Sequence, residues 1–288
     1  MITLDLSKQV INSNEYKFWN TPLREKYAIN DKCSVIMPNF EPTDMCAYAE
    51  DYQEKLFDGI DIAYNEYENG LYVGNEENPF LMLCNVKPDT EILSVHPNTV
   101  LIGNKMKGNP TLRVLEIKAK RCYISAFAFD SCERIEKVVF SGNEFVCLSN
   151  NSFGNLSKLS SVEFDDNGEY RLYKQCLSND PLLTSIKIPS KTDFFGSKVF
   201  LNSGIKHVYL SKAIKDISGA FSDDIEVYYE GDCADLIVGT YTYESPEDYS
   251  FNFHRGSMSY STGYNYAKGD RYHSFVTYED YKALFPDD

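Results

Sequence analysis

Two pairs of adjacent carboxylates and one carboxamide-rich turn are the residues of this 288-residue chain whose types and spacing suit chemistry. Asp165-Asp166 and Asp223-Asp224 have the composition of an acid–base pair. Each pair flanks a predicted strand, however, where aspartate ordinarily forms turns. The turn Asn75-Glu76-Glu77-Asn78 offers oxygen ligands to Ca²⁺ but lacks the longer, spaced ligand set of a strong site. Catalysis and metal binding are therefore the weaker interpretations of these residues.

Eight cysteines and four histidines are scattered along the chain, and none of the cysteines forms a C-x-x-C pair. The sequence contains no G-x-S-x-G, H-E-x-x-H, G-x-x-x-x-G-K-[ST] or G-x-G-x-x-G motif. We expect buried structural thiols, among them Cys132 and Cys176 near predicted turns. The sequence thus predicts no cofactor and no enzymatic activity, and the free thiols favour a reducing compartment.

A set of regularly spaced charged and aromatic residues indicates a protein-binding surface and not a catalytic site. Taken at one position per predicted strand, the chain gives a central row of outward-facing residues: Glu116, Val139, Glu163, Lys187, Tyr209 and Tyr228. A flanking row contributes His207 beside Tyr209. Clustered exposed tyrosines are typical of binding hot spots. We predict a protein-binding face that contains Glu116, Glu163, Lys187, His207, Tyr209 and Tyr228. Its exposed Tyr209/Tyr228 end is expected to be the strongest part, so that replacing both tyrosines by alanine abolishes binding without unfolding the chain.

An internal repeat must position these residues. Four apolar columns recur at steps of 21 to 24 residues. The first column is Leu115, Val138, Val162, Ile186, Val208, and the second is Ile117, Phe140, Phe164, Ile188, Leu210. The third is Ile124, Leu148, Leu172, Phe195, Ile217, and the fourth is Phe129, Phe153, Leu177, Phe200, Phe221. A weaker copy precedes them (Leu93, Val95, Ile102, Met106), and a degenerate strand follows (Val227, Tyr229).

A period of 20 to 29 residues is the signature of a leucine-rich-repeat solenoid. In the pattern L-x-x-Φ-x-Φ the two Φ residues face the core, and the residue between them faces solvent. No copy can bury its apolar face alone, so the copies must stack. We predict a β-rich repeat solenoid, a horseshoe or arc of about six repeats with one short parallel strand in each.

The chain resembles the BspA-type leucine-rich repeats of bacterial proteins. The resemblance is carried by the four columns and by Ala128-Phe129-Asp130-Ser131-Cys132, which matches the A-F-x-x-C phrase of that family. It covers about residues 92 to 230, and residues 64–87 resemble the lead-in segment of such proteins. The resemblance implies a curved solenoid that binds another protein, has no catalytic residues and often resides at the cell surface.

Three regions follow from this pattern. Residues 1–91 are predicted to form an N-terminal helix and hairpin cap, residues 92–230 the solenoid, and residues 231–288 a tyrosine-rich C-terminal cap of β-structure and helix. Within the N-terminal cap we expect Trp19 to cover the first repeat, a helix from Thr43 and a hairpin turning at Gly74–Pro79. Within the C-terminal cap we expect a helix that is capped by Thr277 and ends at Phe285-Pro286.

The net charge of −15 is concentrated in the two flanking regions. Residues 92–230 carry 16 acids against 17 bases, whereas residues 41–78 carry 11 acids against one base. We define an acidic flank from the latter region: Glu50, Asp51, Glu54, Asp58, Asp61, Glu66 and Glu68. This distribution disfavours direct nucleic-acid binding, which requires Lys and Arg to neutralise phosphates. It is typical either of a solubilising surface or of one that attracts a basic protein.

Three functions remain open. The first is a non-enzymatic protein-binding solenoid that uses the concave sheet face and the tyrosine-rich C-terminal region. The second is an acidic inhibitor or decoy that occupies a basic surface of another protein, such as a nucleic-acid-binding surface. The third is a carbohydrate-binding surface protein that uses tyrosines of residues 241–272. The absence of an apolar segment predicts no membrane insertion and a cytoplasmic location, or a cell-surface or secreted one if a signal peptide has been removed.

Overall fold

The computed structural model describes residues 2–8, 22–27, 32–43, 55–222, 224–239, 267 and 269–286. The strands in these ranges are β1 (Ile2–Asp5), β2 (Cys33–Ile36), β3 (Asn65–Tyr67), β4 (Gly70–Val73), β5 (Met82–Val86), β6 (Ile92–Val95), β7 (Leu101–Ile102), β8 (Val114–Ile117), β9 (Arg121–Ile124), β10 (Lys137–Phe140), β11 (Phe145–Leu148), β12 (Ser161–Glu163), β13 (Glu169–Leu172), β14 (Thr192–Phe195), β15 (His207–Leu210), β16 (Glu226–Tyr229) and β17 (Tyr272–His273). The helices are α1 (Leu23–Tyr27), α2 (Tyr278–Leu284) and a 3-10 turn at Cys233–Asp235. None of these described helices has the length and apolar character needed to cross a bilayer.

The chain winds into a β-solenoid of about six coils, as the repeat predicted. Strands β6, β8, β10 and β12 form a parallel first sheet, in which each strand of one coil pairs with the equivalent strand of the next. The pairing is in register with the repeat, since Val138 lies between Leu115 and Val162. One repeat of the sequence therefore forms one coil of the solenoid.

A second strand in several coils differs from the prediction of one strand per repeat. Strands β7, β9, β11, β13 and β14 pair in parallel and form a second sheet, which β5, β4 and β3 extend at its N-terminal end. This second strand contains the third apolar column, for example Ile124 in β9 and Leu148 in β11. The column was expected only to close the coil, but four of its five residues, Ile124, Leu148, Leu172 and Phe195, each end a strand.

The core lies between the two sheets and consists of the predicted columns. Of the twenty residues in the four columns, all are buried except Phe164, which packs partly buried against the same cluster. Aromatic residues of the fourth column stack from coil to coil, with ring centroids 5.2 Å apart for Phe129–Phe153 and 5.7 Å for Phe200–Phe221. Cys132 and Cys176 lie in this core with no exposed surface, as expected of structural thiols.

An asparagine ladder joins the turns on one side of the solenoid. Asn155 Nδ2 donates to Asp130 Oδ1 (2.6 Å), Asn179 Nδ2 to Asn155 Oδ1 (2.9 Å) and Asn202 Nδ2 to Asn179 Oδ1 (2.9 Å). The three asparagines have positive φ angles of 57–60°. Asparagine tolerates this left-handed conformation better than most side chains do. Each asparagine therefore both makes the turn and links two coils.

Replacing Asn179 by alanine should destabilise the solenoid by about 2 kcal/mol, because two ladder hydrogen bonds are lost and alanine is strained at positive φ. The measurement is the urea-unfolding midpoint. Glycine at the same position keeps the conformation but loses the ladder, so Asn179→Gly is expected to fall between wild type and Asn179→Ala. Equal stability of all three proteins would show that the ladder contributes nothing.

The N-terminal region packs on the outer face of the second sheet. Leu6, Val35, Met37 and Phe40 form a buried cluster with residues of that face, including Tyr123 of β9 and Cys147 of β11. The predicted hairpin is present as β4 and β5, which pair antiparallel around residues 74–81. Trp19 and most of the helix expected from Thr43 lie outside the described residues.

The C-terminal region ends in a short strand and a helix. Strand β17 pairs in parallel with β16, and α2 follows after a four-residue connection. The Thr277 side chain accepts a hydrogen bond from the Asp280 backbone N–H, and the Asp280 side chain accepts one from the Thr277 backbone N–H. This reciprocal pair is a capping box. The predicted start and end of this helix are both confirmed.

Candidate functional site

The predicted binding residues lie along the outer faces of two sheets, the first sheet and a separate third sheet of β15, β16 and β17. Parallel pairing aligns Val139 of β10 with Glu116 on one side and with Glu163 on the other. A single bridge then aligns Lys187 with Tyr209, and β15 and β16 align Tyr209 with Tyr228. The row thus has two aligned parts, with Glu116, Val139 and Glu163 in the first sheet and Lys187, Tyr209 and Tyr228 at the third sheet. His207 lies in the adjacent row of β15.

The outer face of the first sheet, formed by β6, β8, β10 and β12, is open to solvent except at Ser94 of β6, which is buried. We call it the open face and define it by Ile92, Val114, Glu116, Lys137, Val139, Ser161 and Glu163. These residues are partly or fully exposed, and the Ile92 side chain is 53% exposed. Apolar Ile92, Val114 and Val139 therefore lie among charges of both signs.

The charges of the open face are paired with one another. Lys137 Nζ lies 2.5 Å from Glu163 Oε1 and links β10 to β12. Lys118 Nζ lies 2.8 Å from Glu116 Oε2, and this contact holds the pKa of Glu116 below its ordinary value. Such exposed pairs contribute little to stability. They leave the face with no large excess of either charge, which suits a partner of mixed chemistry.

The outer face of the third sheet is covered, and here the prediction of exposed tyrosines was wrong. Tyr209 is only 9% exposed to solvent and Tyr228 only 8%, because Tyr281 of α2 packs across both side chains. The ring of Tyr281 lies 5.7 Å from that of Tyr209 and 5.5 Å from that of Tyr228. We call Tyr209, Tyr228 and His207 the tyrosine patch.

Other contacts extend this cover over the whole patch. Phe285 stacks on His207 with ring centroids 3.6 Å apart, and the Tyr281 hydroxyl lies 3.2 Å from His207 Nδ1. Tyr278 lies 5.2 Å from Tyr209 and receives Lys187 Nζ over its ring at 5.1 Å. Burial raises the pKa of both Tyr209 and Tyr228 to about 12, so both phenols are neutral at ordinary pH.

Sequence reasoning missed the role of α2 in covering the patch. The signal was present in Tyr278, Tyr281 and Phe285, whose i, i+3, i+7 spacing places three aromatic rings along one side of a helix. The predicted α2 was assigned no packing partner, and the sheet tyrosines were treated as a separate feature. An amphipathic helix without a partner is the pattern that would have connected them.

The acidic flank does not form one described patch. Glu50, Asp51 and Glu54 lie outside the described residues. Asp58 forms an ion pair with Lys105 of the solenoid, and Glu66 Oε2 lies 2.7 Å from Lys87 Nζ. Asp61 is exposed, and Glu68 is an exposed turn residue between β3 and β4. Two of the four described carboxylates are thus engaged with lysines of this chain.

Asp165, Asp166 and Asn75, which were considered for catalysis or metal binding, have structural roles, whereas Asp223 lies outside the described residues. Asp165 accepts hydrogen bonds from the backbone N–H groups of Asn167 (2.9 Å) and Gly142 (2.7 Å), which lower its pKa and mark it as a turn residue. Asp166 pairs with Lys187 at 2.6 Å. Asn75 Oδ1 accepts from the N–H groups of Glu77 and Asn78 inside the predicted calcium turn. Within the described ranges, no three Cys, His, Asp or Glu residues are grouped as metal ligands.

The outer face of the second sheet differs from the open face. Tyr123, Phe145 and Cys147 point outward from that sheet but are buried by the N-terminal region. The guanidinium groups of Arg121 and Arg171 each lie 5.4 Å from the Phe145 ring and complete its enclosure. At β9 and β11 this face is therefore used inside the molecule, although Phe194 of β14 remains 39% exposed.

Comparison with known proteins agrees with this architecture. The sequence profile of the BspA type leucine rich repeat region matches residues 102–226 in six copies. A leucine-rich repeat protein from Bacteroides ovatus, known from a crystal structure, is similar at 18% sequence identity with a TM-score of 0.39. The similarity covers 68% of this chain and 53% of that protein, so this chain spans about half of its length. None of the curated proteins matches. The six matched copies identify residues 102–226, which contain most of the buried columns, as BspA-type leucine-rich repeats, and such repeats suggest a protein-interaction module.

Proposed function

We propose that this protein is a non-enzymatic module that binds another protein through the open face. The observation that carries the proposal is the contrast between faces. The N-terminal region buries Tyr123, Phe145 and Cys147 on the outer face of the second sheet, and α2 covers the outer face of the separate sheet of β15, β16 and β17. The open face displays Ile92, Val114 and Val139 to solvent on a rigid parallel sheet.

The chemistry of the open face indicates the kind of partner. Apolar side chains flanked by ionised groups suit a partner that brings an apolar centre and a rim of both charge signs. Lys137 and Glu163 already pair with each other, so a partner must either dock over that pair or replace one member of it. The acidic-decoy alternative requires a partner with a uniformly basic surface. Such a surface matches the mixed charges of the open face less well.

Introducing a charge at the centre of the open face should abolish binding. Val139→Asp is expected to weaken binding of the protein partner about tenfold or more, because an apolar contact is replaced by a carboxylate that must be desolvated. The measurement is affinity capture from a lysate of the organism that makes the protein, at about 0.1 M and about 0.5 M salt, since the higher salt screens exposed charge pairs. Captured proteins are identified and quantified by mass spectrometry.

Matched variants separate binding from folding. The double reversal Lys137→Glu with Glu163→Lys keeps an ion pair between the two strands but exchanges its charges, so it should preserve the unfolding midpoint and lose the partner. Lys158→Glu changes the same charge at an exposed turn residue away from the sheet and should leave capture unchanged. A partner that resists Val139→Asp and the double reversal but is lost at high salt would overturn the proposal in favour of the acidic flank.

A further inference from the structure

The contact between α2 and the tyrosine patch is separate from the main core. Tyr209, Tyr228 and Tyr281 form a small cluster of their own, with Val276, Tyr278 and Phe285 packed around it. The residues that alternate with these tyrosines, such as Val208 and Val227, face the main core on the other side of the sheet. The core of the solenoid is therefore complete beneath the patch, and α2 is an addition on its outer face.

The attachment of α2 to the sheet is made by side chains. The connection before the helix is fixed by backbone hydrogen bonds from Phe275 to Gly231 (2.9 Å) and from Val276 to Tyr229 (3.0 Å). The backbone hydrogen bonds described for Tyr281 and Phe285 stay within the helix and its cap. A seven-residue helix is too short to be stable in water by itself. Its helical state therefore depends on the aromatic contacts with Tyr209, Tyr228 and His207.

The outward side of the same segment exposes apolar groups. Leu284 is 61% exposed and Phe275 is 71% exposed. Leu284 and Phe275 gain no burial from the attachment, so detachment of α2 costs only the burial of its inner aromatic side chains and of the patch. The contact thus has the properties of a reversible one.

We infer that the tyrosine patch is a second protein-binding site, which recognises a helix bearing aromatic side chains at positions i, i+3 and i+7, and that α2 is its resident, competing ligand. The spacing follows from the occupant, since Tyr278, Tyr281 and Phe285 contact Tyr209, Tyr228 and His207. Helix-in-groove recognition uses anchors at this spacing. A partner helix of this pattern binds when α2 detaches, so its apparent affinity is reduced by the fraction of molecules that are open.

The test uses a labelled peptide with the sequence of residues 274–286 and the full-length protein. Tyr281→Ala weakens the resident helix but leaves the patch intact. We expect saturable fluorescence-polarisation binding of the peptide to Tyr281→Ala, about tenfold tighter than to wild type, in which the tethered helix competes. A peptide that carries the same Tyr281→Ala change is the matched control and should not bind. The second variant, Tyr281→Ala with Tyr228→Ala, should lose binding because the patch itself is changed.

Two results would overturn the inference. One is equal binding of the peptide to wild type, Tyr281→Ala and the patch variant. The other comes from amide hydrogen exchange of the wild-type protein and does not depend on any variant folding. The amides of residues 281–284 should exchange at least about tenfold faster than those of β8–β11, since local opening precedes global unfolding. Protection equal to that of the repeat strands would show that α2 is an integral part of the fold. Neither measurement involves the open face, so failure here leaves the proposed function to its own test.

Discussion

Replacing Phe153 by alanine should lower the free energy of unfolding by about 3–5 kcal/mol, because the side chain is buried in the middle of the solenoid and leaves a cavity. Phe153 is 1% exposed, stacks on Phe129 at 5.2 Å and meets Phe140 edge-on at 6.3 Å. Phe129 belongs to the preceding coil and Phe140 to the same coil as Phe153, so one substitution weakens both the packing inside a coil and the interface between two coils. In a solenoid such interfaces carry much of the total stability.

The measurement is urea unfolding followed by far-UV circular dichroism. Phe275→Ala is the matched control, since it makes the same chemical change at a side chain that is 71% exposed. It should shift the free energy of unfolding by no more than about 0.5 kcal/mol. A loss for Phe153→Ala as small as that of the control would mean that the stacked rings do not couple the coils.

The repeat region could be predicted from the sequence because its signal occurs several times. A single apolar alternation such as Leu115-x-Ile117 is weak, but its recurrence at Val138-x-Phe140 reduces the chance of coincidence. The buried columns follow directly from that recurrence. The second strand of each coil was missed because its residues, for example Cys122 and Tyr123, are apolar on both faces. Without alternation, a strand whose two faces are both buried cannot be recognised by its period.

The candidate site could be predicted only in part, for a related reason. The order of residues along the outer face follows from the repeat register, which is local information. Whether that face is open depends on segments far away in the chain. Tyr281 covers His207 across 74 residues, and Met37 reaches the second sheet from the opposite end. The periodicity of the sheet contains no information about such a cover.

A buried carboxyl group leads to the second large effect. Asp180 occupies the inward position that Cys132 and Leu156 fill in the two preceding coils, each 24 residues apart. Its Oδ1 atom accepts a hydrogen bond from the backbone N–H of Leu156 at 2.8 Å. Its Oδ2 atom is buried and has no hydrogen-bond partner among the described residues. An ionised carboxylate is costly in such a place.

Burial, together with repulsion from Asp130, raises the pKa of Asp180 from about 3.8 to about 8, while the hydrogen bond from Leu156 opposes the shift. Between these values the folded protein retains a proton that the unfolded chain releases. The contribution of Asp180 to stability is therefore fully present below about pH 4 and is lost as the pH rises towards 8. The slope is about 1.4 kcal/mol per pH unit for one proton.

Asp180→Asn should remove this dependence, because an amide keeps the acceptor for the Leu156 N–H and does not ionise. Urea unfolding at pH 5, 6, 7 and 8 should show the stability difference between Asp180→Asn and wild type growing by about 1.4 kcal/mol with each unit. Asp235→Asn makes the same change at an exposed carboxylate and should run parallel to wild type throughout. If Asp180→Asn also ran parallel to wild type, Asp180 would ionise near its ordinary pKa. The core would then have to stabilise its charge, for instance by admitting water to Oδ2, and the coil around Asp180 would be less tightly packed than its buried neighbours indicate.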